Sequence, residues 1–239
     1  MALLGPGFQR APTENERRMQ VMSGMSPNYM GDPSNLHNHS AVSLPEHENT
    51  CFWITDLPPD VRVSEITASI RNCGRIFALH INRQEAHIRG AACKLVFFGM
   101  REAQRFARDY MDRQTLYVRG WRARIRYNRI KVAEQAGLPD HFSRCLRITG
   151  PYHLIDFRFL DNYLSARLTY ELDVVYWNPR QKAVIIHFSS HRGQASLAYK
   201  ALTMDSIFID NGVQVEYSGD PCAPLPVSEH LSLPGVGSA

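Results

Sequence analysis

Residues 121 to 129 read Trp-Arg-Ala-Arg-Ile-Arg-Tyr-Asn-Arg. In an extended chain successive side chains take opposite faces, so Ala123 and Ile125 suit a core while Arg122, Arg124 and Arg126 share the other side. A stripe of guanidinium groups is suited to phosphate, which it binds bidentately and without losing its charge. An aromatic ring beside such a stripe stacks on a base, and Trp53 is available for that role. Lys94 adds a further cation. His80 and Asn82 carry hydrogen-bonding groups for base edges, and Asn128 follows directly after the stripe. These eight residues have the chemistry of a surface for single-stranded nucleic acid. Two plainer readings stand beside it: the arginines guard a solvated edge strand against aggregation, or the chain after Arg129 covers Trp53.

Two other constellations have the residue types of a site. His37, His39, His47 and Cys51 have metal-ligand chemistry, but they lie in a Ser/Asn-rich stretch with nothing to orient the imidazoles. His141-Phe142-Ser143 and His187-Phe188-Ser189 form two H-x-S triplets. Paired H-x-S/T motifs resemble those of the two-histidine phosphoesterases, whose histidines act as general base and general acid. The two triplets fall at non-equivalent places, one in a linker and one in a strand. The expectation is a chain that is not an enzyme and has no metal or cofactor site.

Short elements must position these groups. Phe52 to Leu57 is rich in β-formers and ends at a double proline. Val63, Ile66, Ile70 and Cys73 then fall at helical spacing, with Ser64 as N-cap and Gly74 as stop. Ile76 to Ile81 and Ala91 to Phe98 read as strands. Ala103, Phe106, Ala107 and Tyr110 mark a second helix, and Trp121 to Tyr127 closes the unit as a strand. The second half repeats this order. Its strands are Leu146 to Ile148, Tyr170 to Trp177, Ala183 to Phe188 and Val213 to Tyr217; its helices are Phe159 to Leu168 and the run through Ala195, Ala198, Tyr199 and Leu202. Matching elements are offset by 94, 91, 92 and 90 residues (Leu146/Phe52, Phe188/Phe97, Ala195/Ala103, Val215/Ile125), which is the signature of two copies of one domain.

The fold class expected is therefore α+β, with two ferredoxin-like β-α-β-β-α-β domains at 51–131 and 144–222 joined by a linker at 132–143. Residues 1–50 hold 19 Gly, Pro, Ser and Asn, too little apolar material to offset ordering entropy. They are expected to be a disordered tail, as is 223–239.

Phe52-Trp53-Ile54-Thr55-Asp56-Leu57 resembles the first-strand signature of the RNA recognition motif, with Asp56 in place of the usual Asn. Gly74-Arg75-Ile76 is similar to the family's approach to its second strand. On the third strand, the register that keeps Lys94 out of the core turns Ala91, Cys93, Leu95 and Phe97 inward and Ala92, Lys94 and Val96 outward. The resemblance covers roughly 50–131 and 144–220, and it implies a sheet face that stacks bases on one first-strand and two third-strand aromatics. Here the three positions hold Trp53, Ala92 and Lys94. In the second copy they hold Arg147, Ala183 and Ile185, none of them aromatic.

The full chain of 239 residues carries a net charge of +4, but the distribution is uneven. Residues 52–143 hold 16 basic and 9 acidic side chains, net +7, whereas 144–222 hold 8 and 8, net zero. The five cysteines make an odd set without a C-x-x-C pair, which argues against a disulfide framework and for an intracellular protein, nuclear or cytoplasmic. Nothing in the sequence reads as a membrane span or signal segment. The leading expectation is single-stranded RNA bound on the first domain, with the second a scaffold or protein-binding unit. The alternative is that both degenerate copies bind protein, and Arg147 is expected to pair with a local carboxylate.

Overall fold

The structure is a computed structural model, and it describes residues 13–22, 44–82 and 90–224. After a helix at Glu14–Met22 (α1), the first domain runs β1 (Cys51–Leu57), α2 (Val63–Ser69), β2 (Ile76–Asn82), β3 (Ala91–Phe97) and α3 (Met100–Phe106). It closes with β4 (Tyr117–Val118), β5 (Trp121–Arg122) and β6 (Arg124–Tyr127). The second runs β7 (Cys145–Thr149), α4 (Tyr152–Ile155), α5 (Phe157–Ser165), β8 (Leu172–Asn178), β9 (Ala183–Phe188), α6 (Ser196–Met204), α7 (Ser206–Ile209) and β10 (Gln214–Ser218). Each domain has one antiparallel four-stranded sheet, ordered β2-β3-β1-β6 in the first and β10-β7-β9-β8 in the second. Read by position within the copy, both orders are fourth-first-third-second. The α+β class and the repeat expected from the sequence are those observed.

Alternation along each strand decides what the sheet buries. Phe52 and Ile54 on β1, Leu79 on β2, and Leu95 and Phe97 on β3 enter one core beneath the helices, where they meet Phe106. The third-strand register expected from the charge on Lys94 holds, since Ala91, Cys93, Leu95 and Phe97 are all in that core. The second core is built likewise from Leu146, Ile148, Ile186, Phe188, Leu160 and Leu202.

Three local expectations are corrected. The cap of α2 is Arg62, whose backbone N–H is held by the Glu65 carboxylate at 2.8 Å. Ser64 lies inside that helix, which ends by Ile70, where the chain is extended. Residues 121 to 127 do not form one strand. Arg119 and Gly120, at φ 50° and 79°, turn β5 back onto β4 as a small separate hairpin, as two consecutive positive-φ residues do. The N-terminal region also contains order, in α1 with Gln20 buried and in Asn49 and Thr50 on the first domain. Asn49 explains the second case, because its Oδ1 accepts the N–H of Cys51 and Val132 at 3.0 Å each and its Nδ2 donates to the Asn128 carbonyl. The remainder of the predicted tails, 1–12, 23–43 and 225–239, lies outside the described residues.

Residues 132 to 143 are not a loose tether. The Arg75 guanidinium donates to the carbonyls of Asp140 (2.5 Å) and Phe142 (2.9 Å) and stacks over the Phe98 ring at 4.7 Å. Beyond it, Arg144 is fully buried between the domains. Its Nε and Nη2 grip Asp220 at 3.1 Å each, and Nη1 reaches Asp173 at 2.7 Å and the Phe188 carbonyl at 2.9 Å. Both carboxylates then bind the first domain: Asp173 accepts the Thr67 hydroxyl (2.9 Å) and Asp220 the Ile76 N–H (2.8 Å). Burial alone would weaken the charge on Arg144, but Asp220 and Asp173 outweigh it and hold the guanidinium above its ordinary pKa. Ser190 caps the outer edge of β2 by accepting the Leu79 N–H and donating to the Leu79 carbonyl. Cys222, from the end of the second domain, is buried in the core of the first.

Candidate nucleic-acid interface

The strand registers bring four of the sequence-derived residues into one transverse line on the open face of the first sheet. His80 on β2 lies opposite Lys94 on β3, Lys94 opposite Trp53 on β1, and Trp53 opposite Arg126 on β6. Residues directly opposite on one face have Cβ atoms roughly 4.5–5.5 Å apart, so a cation stands on each side of the indole. Trp53 and Lys94 are half-buried, and His80 and Arg126 are exposed. The next line holds Asn82 opposite Ala92 and Thr55 opposite Arg124. Arg124 is exposed, with its guanidinium 3.5 Å from Asp56.

Below that line the face is closed. Cys51 and Ala78 both lie opposite Val96, and this apolar patch is packed by Phe77, Phe98, Val132 and Phe142. The chain after Arg129 therefore covers part of the sheet, the Val96 row rather than the Trp53 row. Burial pushes the Cys51 thiol up to about 12, so it is neutral and inert beneath the site. The open platform spans about two rows of side chains.

Two expected members fall elsewhere. Arg122 sits in the β4–β5 hairpin, with its Nε on the Gln114 carbonyl at 3.3 Å, and does not line up with Arg124 and Arg126. Asn128 shapes the backbone instead, its Oδ1 accepting the Ile130 N–H at 3.0 Å.

In the second domain the equivalent line is Tyr176, Ile185, Arg147 and Glu216. Arg147 is neutralised by Glu216 at 2.5 Å, as expected. Tyr176 is 46% exposed on this face and was missed, although the alternation of Val174 and Tyr176 along β8 carries the signal for it. The H-x-S triplets are used structurally. Ser143 Oγ accepts the Cys145 N–H and donates to the Ser218 carbonyl, while Ser189 Oγ bonds Gln194. His141 packs on Phe142 and Tyr217, and His187 on Tyr176. Among the described residues no cluster of His, Cys, Asp or Glu has metal-site geometry, and no helix is long and apolar enough to cross a membrane.

No family model matches the chain, and no curated protein does. Solved structures resemble it loosely. RNA recognition domains 1 and 2 of Sex-lethal from Drosophila melanogaster are 16% identical with a TM-score of 0.28, over 71% of this chain and 100% of theirs. The first two RRM domains of the yeast poly(U)-binding protein Pub1 are 10% identical with a TM-score of 0.29, over 71% and 99%. The three N-terminal RNA-binding domains of the yeast splicing factor Prp24 are 12% identical with a TM-score of 0.31, over 74% and 65%. Similarities this distant leave the fold to be judged from the strand order. Each domain has the ferredoxin-like β-α-β-β-α-β fold, the topology that the RNA recognition motif shares. The third-strand positions where that motif carries aromatics hold Ala92 and Lys94 in one domain and Ala183 and Ile185 in the other.

Proposed function

We propose that the chain is a non-enzymatic RNA-binding protein that takes single-stranded RNA on the first domain. The line His80, Lys94, Trp53 and Arg126 carries this reading. One base stacks on Trp53, Lys94 and Arg126 pair with the flanking phosphates, and Arg124 extends the cationic edge. His80 and Asn82 hydrogen-bond base edges. Arg122 and Asn128, held by backbone partners, are left out of the binding set. With the lower part of the face covered, the sheet has room for about two bases, so affinity comes mainly from phosphates and salt dependence is steep.

The test is fluorescence anisotropy of the full chain with a labelled random single-stranded RNA, from about 50 to 200 mM salt. Trp53→Ala should weaken binding by about 1–3 kcal/mol. Unchanged affinity in that variant removes the stacking role, and absence of binding at low salt removes the RNA reading altogether. A second reading is favoured by one observation, the neutral and partly apolar face of the second domain, where Arg147 is cancelled by Glu216 and Val174 and Tyr176 are exposed. That face fits a protein better than a nucleic acid, and a partner held there would survive nuclease and high salt.

A further inference from the structure

The two sheets have four outer edges, and three of them are protected. On β2, the Ser190 hydroxyl occupies the backbone of Leu79. On β6, Arg124 and Arg126 alternate along the strand, so pairing with a copy of itself about Ile125 would set arginine against arginine. On β10, pairing about its central residue would set Glu216 against Glu216. The fourth edge is β8, of sequence Leu-Asp-Val-Val-Tyr-Trp-Asn. α2 reaches its start, where Thr67 holds Asp173, but from Val174 to Asn178 it carries no charge, and Val174, Tyr176 and Trp177 are each more than 40% exposed. A long, apolar, uncharged edge is a template for another strand.

We propose that a second copy of this chain occupies that edge, with the two β8 strands antiparallel about a two-fold axis through Tyr176. The register follows from the faces. A two-fold axis perpendicular to the sheet keeps each side chain on its own face, so the axis must pass through a residue, and Tyr176 centres the uncharged stretch. Tyr176 then lies opposite its own copy, and Val175 lies opposite Trp177 twice over, which are the aromatic and aromatic/β-branched pairs that strengthen antiparallel sheets. Charge is complementary beyond the paired stretch. Glu171 precedes β8 while Arg180 and Lys182 follow it, so antiparallel pairing brings the acidic end of one copy to the basic end of the other. Tyr152, 68% exposed and edge-on to Trp177 at 6.0 Å, widens the contact on the helical side. Five paired residues a side bury less than the roughly 1,200–2,000 Å² of a standard interface, so the dimer is weak and depends on concentration.

Sedimentation velocity of the nuclease-treated full chain over a range of concentrations tests this without RNA. Wild type should pass from monomer to dimer as concentration rises. Tyr176→Lys and Tyr176→Glu should each dissociate several-fold more readily, because each puts like charges opposite across the axis. An equimolar mixture of the two variants should recover dimer, because Lys then faces Glu. That recovery also separates lost pairing from lost folding. Wild type that stays monomeric throughout overturns the proposal and leaves the edge to a strand from another protein. A dimer indifferent to both substitutions overturns it as well.

Discussion

Arg144→Met is the most informative perturbation of the body that carries the site. The side chain it replaces is fully buried and makes five hydrogen bonds, three to carboxylate oxygens of Asp220 and Asp173, one to the Phe188 carbonyl and one to the Cys222 sulfur. Methionine fills much of the volume but leaves two carboxylates without a counter-charge at the junction of the domains. Asp220 keeps the N–H groups of Ile76 and Cys222, and Asp173 keeps the Thr67 hydroxyl, so neither is stripped bare. Removing one partner of such a buried group costs about 3–5 kcal/mol. At roughly 2–4 °C per kcal/mol for a chain of this size, the melting temperature should fall by about 6–20 °C. Thermal and urea unfolding followed by circular dichroism measure this. Adding Asp173→Asn and Asp220→Asn should restore about half of the loss or more, since the cost comes from uncompensated charge rather than lost packing. If Arg144→Met lies within about 1 kcal/mol of wild type, or the triple variant is no better than the single, the reasoning is wrong.

Three further outcomes are expected. Arg126→Ala should lower the slope of log affinity for single-stranded RNA against log salt by about 0.7, as loss of one phosphate contact requires, whereas Arg122→Ala should leave it unchanged in the same anisotropy titration. Burial, helped by Arg144 for His187 and by Arg75 for His191, holds both imidazoles below their ordinary value of 6.5; the unfolded chain therefore takes up protons first, and the stability they contribute is full above that pH and lost progressively below it. His191→Phe, at a position ringed by Phe77, Phe98 and Phe142, should flatten that slope in urea titrations at successive pH values. Gly90→Ala should cost about 2 kcal/mol or more, because φ there is +100° and a Cβ would meet the Leu57 carbonyl oxygen at 2.7 Å; a melting temperature equal to wild type would show that the β1–β3 pairing gives way there.

Much of this was legible in the sequence because it depends on short-range periodicity. The third-strand register could be chosen from Lys94 alone, as a charge and a core cannot share one face, and the repeat followed from offsets that agree within a few residues. The grouping of His80, Lys94, Trp53 and Arg126 needed only the strand order that the resemblance implied. The misplacement of Arg122 has a different origin. Strict alternation from Trp121 to Tyr127 fits one strand, and what breaks it is a turn at Arg119 and Gly120 whose pairing competes with the sheet. Arg144 gave no local sign of its role, since its partners lie 29 and 76 residues away. The contribution of Asn49 and Thr50 was hidden by the polar composition that made their surroundings look unstructured. Tyr176 could have been found by applying to the second domain the same alternation used for the first.

The position of Cys222 affects how the protein is made. Its side chain is 1% exposed within the core of the first domain, and its carbonyl accepts the Gly74 N–H at 3.0 Å. On the ribosome, the domain made first therefore cannot complete its interior until the second domain and Cys222 beyond it have emerged, and a nascent first domain waits with an open flank beside α2. Domain-by-domain folding during synthesis, the usual order for tandem units, gives way here to closure of the first domain only after the second has been made. A chain shortened before Asp220 would lose more than its last strand's neighbour: it would leave Arg144 short of its paired carboxylate, Ile76 without its acceptor, and the first domain unfinished.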